Sequence, residues 1–313
     1  MRILILYILT FQFVYSQVFS DISFIGSRSV STAGSMVASP KGEESVFYNP
    51  AGLTNSNNML SFFYGKTDIY NLKFLKHQYF SFKIPMANTS ANCFAISVQS
   101  LNTSYPFSTS DFGSLDGDLS EETAISFSHG IELLKDRNST LSLGYNLNYF
   151  IFYQAPSAGP NGDGQNGFSS AKSETFSLDF GIHASLRKKI NFGAFLKNIT
   201  STRIGRGASL SFLPRKMNIG IGYTPFSGLS TNFSLERIIG TKKSSFRFGL
   251  EYLVTKYFEV RSGVQMSTKD NGSNRFGAGF TIHLPYVDFS YGLLTHPILD
   301  NSNTFDIKVH FEK

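Results

Sequence analysis

Thr140-Leu141-Ser142-Leu143-Gly144-Tyr145-Asn146-Leu147-Asn148-Tyr149-Phe150-Ile151-Phe152-Tyr153 is the stretch that decides the fold. Leu141, Leu143, Tyr145, Leu147, Tyr149 and Ile151 share one face, while Ser142, Gly144, Asn146 and Asn148 share the other. Strand side chains alternate between faces, so a period of two writes a strand with an apolar side and a polar side. The pattern recurs in fourteen segments: 59–65, 73–85, 91–101, 122–133, 138–153, 173–187, 189–199, 215–224, 229–237, 245–254, 257–266, 274–284, 286–295 and 303–311. Fourteen such strands with no helical stretch between them predict a closed antiparallel barrel, lipid outside and water or a plug inside.

Neighbouring segments repeat the opening stretch's logic. Phe94, Ile96 and Val98 form one lipid-side set; Phe246, Phe248, Leu250 and Tyr252 form another, and Phe305, Ile307, Val309 and Phe311 close the chain. Gaps give an independent test. Those after odd-numbered segments include 102–121, 154–172 and 200–214, whereas those after even-numbered segments are as short as 134–137, 225–228 and 255–256. Outer-membrane barrels have short periplasmic turns and longer outer loops, and an even strand number puts both ends on the periplasmic side. A bacterial outer membrane is therefore the expected location.

The composition fits a barrel. Among 313 residues, 32 are Phe and 27 Gly, Trp is absent, and charged residues make up 16%. No stretch after the N-terminus reaches the roughly 20 apolar residues that a spanning helix needs. Residues 1–16 read as a signal peptide: Arg2, an apolar run from Ile3 to Val14, then small residues leaving Gln17 first. A buried N-terminal strand is the alternative. The formal charge of +6 is scattered rather than clustered, which argues against a nucleic-acid surface. Cys93, the single cysteine, lies on the polar face of its segment and reads as a small lumen filler.

From residue 17 to 58 the alternation stops, and Ser, Gly and Ala dominate. This stretch is expected to fold inside a barrel spanning 59–313 as a plug. Two motifs carry it: Gly26-Ser27-Arg28-Ser29-Val30-Ser31-Thr32-Ala33-Gly34-Ser35-Met36-Val37-Ala38, and Phe47-Tyr48-Asn49-Pro50-Ala51-Gly52-Leu53. Pro50 fixes its own backbone and suits a turn, and Gly52 is free to take a positive φ. Arg28, if enclosed, requires an acidic partner, the alternative being a solvated charge.

Together the two motifs resemble the N-terminal signature of the FadL-like outer-membrane barrels, and especially the PorV/PorQ family of type IX secretion proteins. The chain departs from the usual pattern in having Gly34-Ser35 where two adjacent glycines are common. It has Glu43-Glu44 beside Lys41 between the motifs. The resemblance implies a 14-stranded barrel with an N-terminal plug and a non-enzymatic role in type IX secretion or surface attachment. Its partners would be outer-membrane lipids, secretion-system components and exported proteins. The alternative is a FadL-like passive uptake channel for long-chain fatty acids or other hydrophobic ligands. A structural barrel that holds a surface partner is a third reading.

The inward face is charged. Asp179, His183, Arg247, Glu251, Glu259, Arg261 and Arg275 fall there, with Glu251 or Glu259 placed to pair with Arg247, Arg261 or Arg275. These read as wall salt bridges, or else as a polar pathway or a docking bed for the plug. Phe150, Phe152 and Phe195 are the apolar exceptions. In the 102–121 gap, Tyr105, Phe107 and Phe112 suggest a partner surface or a lid. Catalysis is not expected. His129 faces away from Ser126 and Ser128, so no triad forms on that strand. The six histidines lack metal-ligand spacing, and no cofactor is implied.

Overall fold

The structure, a computed structural model, describes residues 24–55, 59–86, 91–109, 113–156, 167, 169–205, 210–241, 243–268 and 274–311. The leader at 1–16 lies outside them. The wall begins with β1 (Leu60–Asp68), β2 (Leu75–Pro85), β3 (Asn92–Thr109), β4 (Gly113–Lys135), β5 (Ser139–Gln154), β6 (Ala171–Leu186) and β7 (Ile190–Lys197). A small hairpin, β8 (Arg203–Ile204) and β9 (Ser211–Phe212), interrupts it. The wall resumes with β10 (Lys216–Tyr223), β11 (Leu229–Ile238), β12 (Ser244–Thr255), β13 (Phe258–Ser267), β14 (Arg275–His283), β15 (Val287–Leu294) and β16 (Ser302–Phe311).

These fourteen wall strands close into one antiparallel barrel. β16 returns to β1 in register from Leu60↔Phe311 to Asp68↔Asn303. Closure leaves no edge whose backbone groups would face hydrocarbon unpaired. The alternation sorts side chains as the sequence predicts. Leu147, Phe176, Phe248 and Phe305 are exposed on the outside, while Ser142, Asn146, Asn148 and Asp179 are buried within. Leu147 lies midway along β5 and is half exposed. Leu147→Arg should therefore lower the barrel's folding stability in bilayers by about 2–4 kcal/mol, read by equilibrium urea titration.

The barrel has a short-turn end and a long-connection end. Connections 136–138, 187–189, 256–257 and 284–286 lie at the first, together with the start of β1 and the end of β16. Connections 155–170 and 198–215 lie at the second. By the usual asymmetry, the first end is periplasmic.

The stretch 102–121 is not a loop. β3 and β4 continue as a paired ribbon from Ser104↔Asp118 to Thr109↔Gly113, beyond a bulge at Thr103 and Ser104. Tyr105 and Phe107 sit on its backbone, opposite Gly117 and Leu115, and Phe112 lies outside the described residues. A ribbon rising beyond the bilayer needs no apolar outer face, so the pattern that marks membrane strands is missing there. The 198–215 connection also contains the β8–β9 hairpin, which is too short to show a period.

Residues 24–55 lie inside the barrel. They form a five-residue helix α1 (Ser27–Ser31) and two 3-10 turns, Gly42–Phe47 and Pro50–Asn55. α1 packs on β13, β14, β15 and β16, whereas the Pro50–Asn55 turn packs on β3, β4, β5 and β6. The segment thus reaches from one wall to the opposite one.

Candidate functional site: the filled lumen and its mouth

A collar of glycines lets the inner segment touch the wall. Gly130, Gly144 and Gly181 stand side by side on β4, β5 and β6. Gly249, Gly263 and Gly277 do the same on β12, β13 and β14. A Cβ at Gly144 would run into the Pro50–Ala51 backbone, and one at Gly181 into the Asn49 side chain. A Cβ at Gly263 would strike Thr32, and one at Gly193 the Val37 carbonyl. Inward side chains elsewhere keep such an insert at a distance; here backbone lies on backbone. In the opening stretch Gly144 already stands on the polar face, but nothing local says that another segment leans on it.

Arg28 is the main electrostatic fastening. Its Nε donates to Glu251 Oε2 at 2.9 Å and its Nη2 to Glu251 Oε1 at 2.8 Å, a two-pronged contact with β12. Nη2 also donates to the Ser39 carbonyl at 3.1 Å, and Nη1 reaches Glu44 Oε1 at 3.3 Å. Planar guanidinium and carboxylate groups match in this geometry, and charged hydrogen bonds are the strong ones. The wall pairing expected for Glu251 is thus replaced by a pairing with the inner segment. Arg247 instead binds Glu236 at 2.6 Å, and Arg261 binds Glu259 at 3.3 Å. Arg275 has the Phe24 ring as neighbour, 6.0 Å from its guanidinium.

A second fastening uses β16. Asp306 accepts hydrogen bonds from the Ser27 amide and the Tyr79 hydroxyl. Lys308 Nζ meets Glu43 Oε1 at 2.9 Å, and Ser61 Oγ donates to Glu43 Oε2 at 2.7 Å. Burial works to raise the Glu43 pKa, but Lys308 outweighs it and holds the carboxyl below its ordinary range. A depressed folded pKa contributes stability above the unfolded value of about 4.3, lost as pH falls. Hydrogen-exchange protection of the Gly42–Phe47 amides should accordingly weaken in acid, and in Glu43→Gln this weakening should be absent.

The Asn49-Pro50-Ala51-Gly52-Leu53 motif sits against β5 and β6. Asn49 Nδ2 donates to the carbonyls of Val37 at 3.0 Å and Ile182 at 2.9 Å, while its Oδ1 accepts from the Ala51 amide at 3.2 Å. One amide side chain therefore joins two parts of the inner segment to the wall. Leu53 packs with Val46, Cys93 and Ala95. Gly52 is not at a positive φ; its lack of a side chain matters because a Cβ would collide with Pro40. Gly34 does take the left-handed conformation, φ 78°, between Phe24 and Arg247, as do Ala33, Gly26 and Gly42 elsewhere in the segment. His183 faces Ala38 O through Nε2 at 3.2 Å and Asn55 Nδ2 through Nδ1 at 3.0 Å. Asp179 accepts from Asn146 Nδ2 at 3.1 Å and from the Asn198 amide at 2.8 Å. His183 therefore ties the wall to the insert, whereas Asp179 joins wall residues to one another.

The mouth at the long-connection end has two unlike sides. On one, Phe150 and Phe152 of β5 and Ala124 of β4 face inward and pack against Ile204 and Leu213 of the β8–β9 excursion. Ile204 and Leu213 are almost wholly buried. The Thr202 hydroxyl donates to Phe176 O at 2.7 Å, and Ser173 Oγ accepts from the Gly205 amide at 3.0 Å, tying the hairpin to β6. On the other side the wall of β10 to β14 is polar and basic.

No protein-family model and no curated protein matches the chain. Solved structures do resemble it. The toluene transporter TbuX of Ralstonia pickettii superposes with a TM-score of 0.63 at 12% identity, covering 93% of this chain and 100% of that one. The monoaromatic hydrocarbon channel CymD gives 0.65 at 11% identity, over 94% and 99% of the two chains. A FadL homologue of Pseudomonas aeruginosa gives 0.56 at 11% identity, over 91% and 98%. The fold is that of the FadL-like barrels. A closed barrel of this fold with an apolar outer wall fits the bacterial outer membrane; of these neighbours, TbuX is described as a transporter and CymD as a channel. Identity this low carries the fold and nothing finer.

Proposed function

We propose that this barrel is a passive outer-membrane channel for hydrophobic compounds, with residues 24–55 as its plug. One observation carries the reading: the apolar patch of Ala124, Phe150 and Phe152 at the mouth, which is covered by Ile204 and Leu213 and not by the inner segment. Ligand sites are mostly apolar with a few polar groups, and mouths of barrels are preferred places for them. Displacing Ile204 and Leu213 would leave the Phe150 and Phe152 rings open to a ligand. The FadL-like neighbours, two of them described as toluene or monoaromatic hydrocarbon transporters, support the same class of ligand. Binding of the apolar dye 1-N-phenylnaphthylamine to the purified barrel tests it. Saturable binding lost in Phe152→Arg is expected; dye binding unchanged by that substitution would refute the assigned site.

A second reading has support of its own. The two-pronged Arg28–Glu251 contact and the glycine collar fix the inner segment firmly, as suits a barrel that serves as a docking platform in type IX secretion. The motifs that resemble PorV/PorQ proteins point the same way. Gentle purification followed by mass spectrometry separates the two: co-purifying exported proteins favour docking, and a bound fatty acid or hydrocarbon favours uptake.

A further inference from the structure

We propose that the basic side of the mouth is a binding site for a phosphate-type oxyanion, separate from the apolar patch. A cavity of about 160 Å³ opens there, and its wall carries Lys216, Lys243, Arg247 and Arg275 against a single carboxylate among the described residues, Glu236. Arg247 already engages that carboxylate at 2.6 Å. An adjoining recess adds Lys197 and no further acid. The cavity nearer the periplasm is different, with five carboxylates facing four Lys and Arg side chains and His283. Charge is therefore balanced in the deeper cavity and positive along the described lining of the mouth cavity.

Such an excess asks for an anion. Like charges gathered in a partly enclosed, low-dielectric space repel one another and focus a positive potential on the opening. Arg247 is engaged by Glu236 and Lys216 has a partner of its own, so among the described lining residues Lys243 and Arg275 carry the excess; a phosphate monoester brings about −1.5 to −2 at neutral pH and answers it. The guanidinium groups of Arg247 and Arg275 lie 5.3 and 6.0 Å from the Phe24 ring, which places both beside the same floor. Guanidinium forks match phosphate oxygens, and Ser244, Ser245, Ser267 and Gln265 supply neutral hydrogen-bonding groups around them. The volume accommodates on the order of ten waters, room for a phosphate group with part of its shell. The site stands whether or not the apolar patch under the β8–β9 hairpin admits hydrocarbons.

The test is calorimetric titration of the full mature chain in detergent with inorganic phosphate at low ionic strength, with chloride at matched ionic strength as control. Saturable phosphate binding is expected, weakened at least about tenfold in Lys243→Gln/Arg275→Gln. Lys243 immediately precedes β12 and Arg275 opens β14, and retention of heat-modifiable gel mobility confirms that the variant is folded. The single Lys243→Gln, at an exposed position, should weaken binding in the same direction. A linear titration, an equal response to chloride, or unchanged affinity in the folded double variant would overturn the proposal. Glycerol phosphate competing with phosphate assigns the site to a soluble solute, and competition by phosphatidate micelles alone assigns it to a lipid headgroup.

Discussion

Arg28→Ala is expected to free the inner segment while leaving the barrel wall closed. The substitution removes the partner of Glu251 and one partner of Glu44, both of them buried. Breaking a buried ion pair by deleting one member costs about 3–5 kcal/mol, because the remaining charge is stranded. Asn232 Nδ2, which meets Glu251 Oε1 at 3.3 Å, offsets a small part of this. The wall's own pairing, fourteen strands in register, does not depend on Arg28. Heat-modifiable mobility should thus persist. Amide exchange across 24–55 should rise and bilayer conductance should appear. Glu251→Gln keeps the shape and one acceptor, and should show the same changes more weakly. If Arg28→Ala keeps wild-type protection across 24–55, the insert is held by packing alone.

The second large effect belongs to the collar. Gly144→Leu places a side chain where the Pro50–Ala51 backbone lies, and Gly193→Val does so at the Val37 carbonyl. Neither neighbour is the end of a flexible side chain, so the inserted segment must move as a piece. Overpacking a well-fitted interior costs about 1–3 kcal/mol or more. Combining the two substitutions, on opposite flanks of the Asn49 tie, should displace the insert from β5 through β7. Crosslinking of Ala51→Cys to a cysteine placed on β5 reads the displacement directly. Leu143→Phe, one residue away but on the lipid side, is the control and should leave crosslinking intact.

Much of this was readable in advance because a membrane wall imposes a strict period. Leu147 and Asn148 differ by one position and by the solvent they meet, and the sequence carries that distinction on every wall strand. The need of Arg28 for an acid follows from burial alone. Which acid it finds does not, since Glu251 lies 223 positions away and its partner depends on how the insert threads the lumen. Of the expected wall pairings, Glu259 with Arg261 is present, whereas Glu251 turns to Arg28 for that reason. Gly144 and Gly263 look like ordinary polar-face residues until Pro50 and Thr32 are set against them. The β3–β4 ribbon escaped notice because it stands clear of the membrane, where nothing demands alternation. Ile204 and Leu213 look like loop residues until Phe150 and Phe152 are seen beneath them.

Uptake by intact cells tests the central claim most directly. A Gram-negative host without its own hydrocarbon channel would express the full chain or its Phe152→Arg variant, with outer-membrane insertion verified by heat-modifiable mobility. The account predicts that radiolabelled toluene or a long-chain fatty acid enters faster with the wild-type barrel than without it. It also predicts that the variant falls back to the empty-host rate. Equal uptake with and without a correctly inserted wild-type barrel, for both compounds, would contradict it.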